Sequence, residues 1–161
     1  MLLLLLKVKN SSITKTYNDS DQISPVRENM DKKLDNIIKQ SPIKVLDGRF
    51  AVVQMAKKNR AKDFFAMMVD DEEKTLVIEE HALKKNRKIT GRQGWYKLVQ
   101  VQVSVPFFAV GFLAAITNAI AKKGINVLVI STFSFDYLLI AEEDILAAVA
   151  SLQEIGFTLK K

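Results

Sequence analysis

The chain has 161 residues, 48% of them hydrophobic, and a formal net charge of +6. Its length allows one core or two small subdomains. Because the sequence contains no cysteine, a disulfide framework and a thiolate metal site are excluded. Residues 1–95 hold 19 Lys and Arg against 13 Asp and Glu, whereas residues 96–161 hold five of each. Any attraction to polyanions is therefore a property of the first part of the chain.

Residues 1–42 are predicted to form a flexible extension with a short helix near 31–40. The leucine run at 2–6 is shorter than the roughly 7–15 apolar residues of a secretory signal and the about 20 of a membrane span, so no membrane association is expected. Residues 10–29 are rich in Ser, Thr, Asn and Asp, which is typical of a linker. The helix is predicted by apolar residues at i, i+3 and i+4, namely Leu34, Ile37 and Ile38.

Residues 43–95 are predicted to form a degenerate α+β subdomain. Its four strands are predicted at 43–46, 49–55, 64–69 and 74–79. Segment 56–63 is basic and irregular and predicts only a shortened helix. The acidic run at 70–73 indicates a solvated hairpin turn rather than a metal loop, because cation sites need oxygen ligands that converge from spaced positions.

Two basic clusters, at residues 57–62 and 84–88, carry much of the positive charge of this subdomain. The simpler interpretation is that both clusters are solvated loops and not a patch that binds polyanions. Neither cluster contains interleaved aromatic residues that could stack on bases. Nucleic-acid binding is therefore not expected, although it stays open as a third function. His81 is the only histidine in the sequence and has no second imidazole or thiolate with which to share a metal. We expect no metal, no cofactor and no enzymatic activity.

Residues 96–161 have the clearest pattern. Alternating apolar and polar residues over 98–105 predict a strand with one buried face. A helix follows from Gly111, and Gly124 ends it; its apolar stripe is Phe112, Ala115, Ile116, Ala119 and Ile120. Strands at 126–131, 137–141 and 157–159, with a second helix after the acids at 142–144, complete the order β-α-β-β-α-β. The sequence thus predicts an α+β fold of two ferredoxin-like subdomains packed side by side, over 43–95 and 96–161, the first with a shortened helix.

The motifs of residues 111–157 resemble the ACT domain. They include Gly111-x-Leu-x-x-Ile, Gly124-Ile-Asn-Val, Ile130-Ser-Thr-Phe and Asp136-Tyr-Leu-Leu-Ile. The resemblance extends over about residues 43–159. It is closest to the stand-alone tandem-ACT proteins, which are related to aspartokinase regulatory domains and to the CASTOR-type arginine sensors. It implies a non-catalytic, cytoplasmic regulatory protein that binds a small molecule, an amino acid above all, between ACT subdomains. It also implies a homodimer or another homo-oligomer, or a partner enzyme or regulator.

By this resemblance the ligand lies between the loop at Gly111 and the strand turn at 132–136. The residues carried over to the site are Gly111, Phe112, Leu113, Thr132, Phe133, Phe135 and Asp136. Their chemistry suits an amino acid, because N–H groups at a helix start attract a carboxylate and an aspartate can meet an ammonium group. The phenylalanine rings could wall a side-chain pocket.

The same residues also have plainer explanations, which stay open. Gly111 could have the structural role of allowing a turn before the helix, and Asp136 that of capping a hairpin. The phenylalanines could belong to the core. The main alternative function is therefore an ACT-like scaffold that has lost its ligand and acts by oligomerisation or by docking a partner, because strand edges are natural pairing surfaces.

Overall fold

The computed structural model describes residues 25–102 and 109–160, and within these ranges the chain forms one mixed sheet with three helices. The helices are α1 (Pro25–Gln40), α2 (Phe112–Ala121) and α3 (Ile145–Glu154). The strands are β1 (Pro42–Val45), β2 (Phe50–Ala56), β3 (Ala66–Val69), β4 (Glu73–Glu79), β5 (Ile89–Val101), β6 (Val127–Ser131), β7 (Asp136–Ala141) and β8 (Thr158–Leu159). Two 3₁₀ helices, Glu80–Lys85 and Glu142–Asp144, follow β4 and β7. No helix in the described ranges is long and apolar enough to cross a membrane. The leucine run and most of the predicted linker lie outside these ranges.

Strand β5 is shared by both halves of the sheet. Its N-terminal part pairs with β2, which pairs in turn with β4, and β4 pairs with β3. Its C-terminal part pairs with β7 on one edge and with β1 on the other, and β6 and β8 extend the sheet beyond them. The two strand orders, β3-β4-β2-β5 and β6-β7-β5-β1-β8, confirm the predicted α+β fold of two ferredoxin-like subdomains side by side.

Helix α1 and strand β1 belong to the C-terminal subdomain. Ile37 and Ile38 are 8% and 3% exposed and lie in the same buried cluster as the apolar stripes of α2 and α3. Strand β1 lies between β5 and β8. It is antiparallel to β5 and parallel to β8. The helix predicted near 31–40 is therefore longer than expected, and its last turn is part of the core.

The shortened helix predicted over 56–63 is absent. Strand β2 ends at Ala56, and residues 57–65 form turns and loop. The basic run at 57–62 has no apolar stripe at helical spacing, so a helix there would have no face to bury. Ala61 of this loop and Leu83 of the 3₁₀ helix cover the sheet instead, over a buried cluster of Ala51, Val53, Met55, Leu76, Ile78 and Ala82.

The predicted hairpin turn is present: residues 70–72 of the acidic run form an exposed turn between β3 and β4, and Glu73 is the first residue of β4. Oδ1 of Asp70 accepts hydrogen bonds from the backbone N–H groups of Glu72 and Glu73, both at 2.8 Å. These donors, that of Glu73 first, hold the pKa of Asp70 below its usual value. In the described parts of the chain, no group of three or more acidic or histidine side chains could hold a metal ion.

Replacing Ile38 with alanine tests whether α1 belongs to the core. Ile38→Ala is expected to lower the free energy of unfolding by about 2–5 kcal/mol, because the side chain is buried and its loss leaves a cavity. Asn36→Ala, an exposed position of the same helix, is the control and should change it by less than about 0.5 kcal/mol. Denaturant unfolding of both variants measures the difference, and equal small losses would contradict the packing of α1.

The turn at Asp70 predicts a defined pH dependence. Because folding lowers the pKa of Asp70, its carboxylate stabilises the protein at neutral pH and loses this effect as the pH falls through the folded-state pKa. Between about pH 5 and pH 2 the Tm of the wild type should therefore fall more steeply than that of Asp70→Asn, which does not titrate there. Asp71→Asn, which leaves both hydrogen bonds in place, should keep the wild-type profile in thermal melts. Superimposable profiles for all three proteins would contradict this account.

Candidate functional site

The residues that the sequence assigns to a site lie in two segments of the C-terminal subdomain. Gly111 immediately precedes α2, and residues 132–135 form the turn between β6 and β7. Val101, the last residue of β5, pairs with Asp136, the first residue of β7. Helix α2 packs against β6 and is joined to it by residues 122–126, so the two run in opposite directions and the start of α2 belongs to the same edge of the sheet as the β6–β7 turn. Residues 103–108, which include the end of the strand predicted at 98–105, lie outside the described ranges.

The start of α2 presents backbone donors. Gly111 has a φ of +86°, in the left-handed region that favours glycine, and no side chain caps the helix. The N–H of Phe112 donates to the carbonyl of Ala109 at 3.1 Å, and that of Ala115 donates to the carbonyl of Gly111 at 2.8 Å. The N–H groups between them, those of residues 113 and 114, have no carbonyl partner inside the helix. An anion can accept hydrogen bonds at this place.

The turn between β6 and β7 is held by Thr132. Its backbone N–H and its hydroxyl donate to the carbonyl of Phe135 at 2.8 and 3.0 Å, and its hydroxyl oxygen also lies 3.1 Å from the N–H of Phe135. Phe133 is 86% exposed. Phe135 is half-buried, and its ring packs edge-to-face with that of Tyr137 at a centroid distance of 6.4 Å. The turn is therefore fixed in shape and displays one aromatic ring to solvent.

Asp136 is half-buried at the start of β7. The hydroxyl of Ser131, which is opposite it in the β6–β7 register, donates to Oδ1 of Asp136 at 2.5 Å. This bond fixes the direction of the carboxylate and engages one oxygen. The second oxygen can therefore accept a donor from a ligand.

Six of the predicted site residues belong to the two segments at this edge, whereas the side chain of Phe112 has a different place. Gly111, Leu113, Thr132, Phe133, Phe135 and Asp136 lie at the edge described above, and the Leu113 side chain is 40% exposed. The Phe112 side chain is 4% exposed, and its ring packs edge-to-face with that of Phe157 at 5.8 Å. Phe112 thus supports the core, and only its backbone belongs to the edge. Ser131 was not predicted, although it lies inside the Ile130-Ser-Thr-Phe motif.

Comparison with known proteins matches this part of the chain to a family. Residues 91–154, from β5 to α3, match the family model of the ACT domain. A protein of unknown function from Vibrio cholerae has a similar structure, with a TM-score of 0.66 and 21% identity over 78% of this chain and 97% of that one. The sequence matches none of the curated proteins with which it was compared.

Aspartokinases provide two further structural neighbours. The aspartokinase alpha and beta subunits align with a TM-score of 0.57 and 12% identity, over 71% of this chain and 96% of that one. The regulatory subunit of aspartate kinase from Thermus thermophilus aligns with a TM-score of 0.50 and 10% identity, over 71% and 95%. At these identities the likeness concerns the fold.

The family match defines the class of one part of the chain: residues 91–154 match the ACT domain. The fold of the chain is similar to that of the aspartokinase subunits and of the regulatory subunit of aspartate kinase named above.

Two glycine positions test the backbone of this edge. Gly111→Ala and Gly124→Ala should each lower the free energy of unfolding by about 1–2 kcal/mol, because their φ angles of +86° and +73° are left-handed. A Cβ at position 111 would lie 3.4 Å from Cδ2 of Leu34, whereas a Cβ at position 124 would have nothing within 4 Å. Gly111→Ala should therefore lose at least as much stability as Gly124→Ala in denaturant unfolding. Unchanged stability of either variant would contradict the left-handed conformation at that position.

Proposed function

We propose that the chain is a non-catalytic regulatory module that binds a free amino acid at the edge formed by the start of α2 and the β6–β7 turn. The observation that carries the proposal is that helix N–H donors and a carboxylate belong to the same edge of one sheet. These two groups have the opposite polarities that a zwitterion requires. The ACT match over residues 91–154 covers both of them and supports a regulatory role.

The carboxylate of the ligand would bind at the start of α2. The N–H groups of Leu113 and Ala114 point out of the helix start, where the helix dipole contributes about half a positive charge. With glycine at position 111, no side chain of that residue stands between the ligand and the backbone. An incoming carboxylate therefore gains hydrogen bonds and a favourable dipole at the same place.

The ammonium group of the ligand would bind Asp136. A charge-assisted hydrogen bond between an ammonium and a carboxylate is about twice as strong as a neutral one. The Ser131 hydroxyl holds Oδ1, so the carboxylate is oriented before the ligand arrives. The backbone of Thr132 and Phe133 would add polar contacts, and the ring of Phe133 or Phe135 would line the side-chain pocket, where a cationic side chain could lie on a ring face.

The start of α2 and the β6–β7 turn would contact only one side of a bound amino acid. The opposite wall would come from the N-terminal subdomain or from a second copy of the chain, which fits a homodimer or a larger homo-oligomer. Occupancy of the site would then be passed to a partner enzyme or regulator. We assign the module to the cytoplasm, as the sequence resemblance implies.

A thermal-shift screen of the twenty common amino acids tests the proposal. An amino acid at about 100 times its Kd adds about 2.7 kcal/mol to the free energy of unfolding and raises the Tm. Asp136→Asn keeps the shape of the side chain and an acceptor for the Ser131 hydroxyl, but removes the charge that meets the ammonium group. This variant is expected to lose most of the ligand-induced shift.

Ser131→Ala is the matched control. It removes the hydrogen bond between Ser131 and Asp136 but keeps the carboxylate, so it should retain most of the shift. If Asp136→Asn and Ser131→Ala lose the shift equally, Asp136 holds the turn and does not bind ligand. If no amino acid at millimolar concentration raises the Tm of the folded protein, the amino-acid site is wrong. A ligand-free ACT-like scaffold, which oligomerises or docks a partner, would then be the better account.

A further inference from the structure

A basic cleft lies in the N-terminal subdomain, on residues that the amino-acid site does not use. Its volume is about 610 Å³. Met55, near the end of β2, is an apolar residue of its wall and is 1% exposed. The other lining residues are six cations, Arg60, Lys62, Lys84, Lys85, Arg87 and Lys88. We call this feature the basic cleft.

The basic cleft results from the reduced helices of this subdomain. Loop 57–65 takes the place of the first helix of a ferredoxin-like unit, and the 3₁₀ helix Glu80–Lys85 takes the place of the second. These shorter segments cover less of the sheet than two full helices would, and both are rich in Lys and Arg. The two segments therefore form facing basic walls.

Asn86 fixes the two walls to each other. It is 3% exposed, and its Nδ2 group donates to the carbonyls of Lys62 and Ala82 at 2.6 and 3.1 Å. Its Oδ1 accepts the backbone N–H of Lys62 at 2.9 Å. Because this buried amide joins both segments, the cations are held near one another before any ligand binds.

The charges of the basic cleft are mostly unpaired. Lys85 donates to Asp63 and, together with His81 at 3.6 Å, holds the pKa of Asp63 below its usual value. Among the described residues, none of the other five cations takes part in an ion pair. Five unpaired like charges around one concavity repel each other, and a bound anion would relieve this repulsion.

We propose that the basic cleft binds a small, multiply charged phosphate compound. The planar guanidinium groups of Arg60 and Arg87 suit phosphate oxygens, with which they can form paired hydrogen bonds, and the lysines add point charges. A single carboxylate would engage only part of this set. The proposal does not depend on the amino-acid site, which uses other residues of the other subdomain.

The volume and lining of the basic cleft favour a small compound over a nucleic acid. Its volume falls in the range of about 300–1,000 Å³ that is typical of small-molecule sites. None of its lining residues is aromatic, whereas sites for single-stranded nucleic acid usually stack bases on aromatic rings. A compact phosphate chain can meet several of the cations at once without such rings.

Titration calorimetry of the full chain with inorganic tripolyphosphate tests the proposal. We expect binding that weakens as salt is raised and that is tighter than the binding of inorganic monophosphate. The variant Arg60→Gln/Arg87→Gln/Lys88→Gln should bind tripolyphosphate at least about tenfold more weakly. The control Lys33→Gln/Lys44→Gln/Lys122→Gln removes the same formal charge at exposed positions outside the basic cleft and should stay within about twofold of the wild type.

Four results would overturn the proposal. The first is the absence of heat and of any Tm change with tripolyphosphate, in protein shown to be folded by circular dichroism. The second is an equal loss of affinity in both triple variants, which would indicate attraction by net charge alone. The third is binding of a single-stranded oligonucleotide that strengthens with its length and is not displaced by tripolyphosphate, which would indicate a nucleic-acid surface. The fourth is a loss of tripolyphosphate affinity in Gly111→Ala, which adds a Cβ at the start of α2; this result would place the anion at the other site.

Discussion

Strand β5 is the constraint on which the rest of the structure depends, because both subdomains use its backbone hydrogen bonds. It has 13 residues, pairing with β2 in its first part and with β1 and β7 in its last. At Gly94 the φ angle is +46°, and the pairing with β2 is irregular close to this point, where β5 changes partners. Because β5 supplies pairing partners to both halves of the one sheet, removing either subdomain would leave part of β5 without its strand partners.

Arg49 reinforces this junction with side-chain contacts. Its guanidinium lies 2.8 Å from a carboxylate oxygen of Glu142 and 3.6 Å from one of Glu80. It also lies 4.2 Å from the ring centroid of Trp95, and Arg92 lies 4.8 Å from the same centroid. Since Glu80 belongs to the N-terminal subdomain and Glu142 to the C-terminal one, Arg49 connects the two halves where β5 passes between them. The two proposed sites belong to opposite ends of this strand, which at about 3.3 Å per residue are at most roughly 40 Å apart.

The sequence predicted the C-terminal subdomain well because its signals are local. The alternation of apolar and polar residues along β5 is a pattern within one strand. The apolar stripe of α2 and its end at Gly124 are patterns within one helix. The position of β1 between β5 and β8 could not be predicted in this way, because strand pairing is decided by tertiary contacts between distant residues. The sequence predicts Phe112 in both the apolar stripe of α2 and the ligand site. The stripe prevailed, because a buried ring contributes more to the core than to an exposed edge.

Hydrogen exchange of the backbone amides, with and without the stabilising amino acid, tests the central claim most directly. The account predicts that the ligand slows exchange at two separate segments, the start of α2 at residues 113–114 and the turn at 132–136, and leaves the loops at 57–65 and 84–88 unchanged. Protection confined to the N-terminal subdomain, or spread evenly along the chain, would contradict a ligand held between the start of α2 and Asp136.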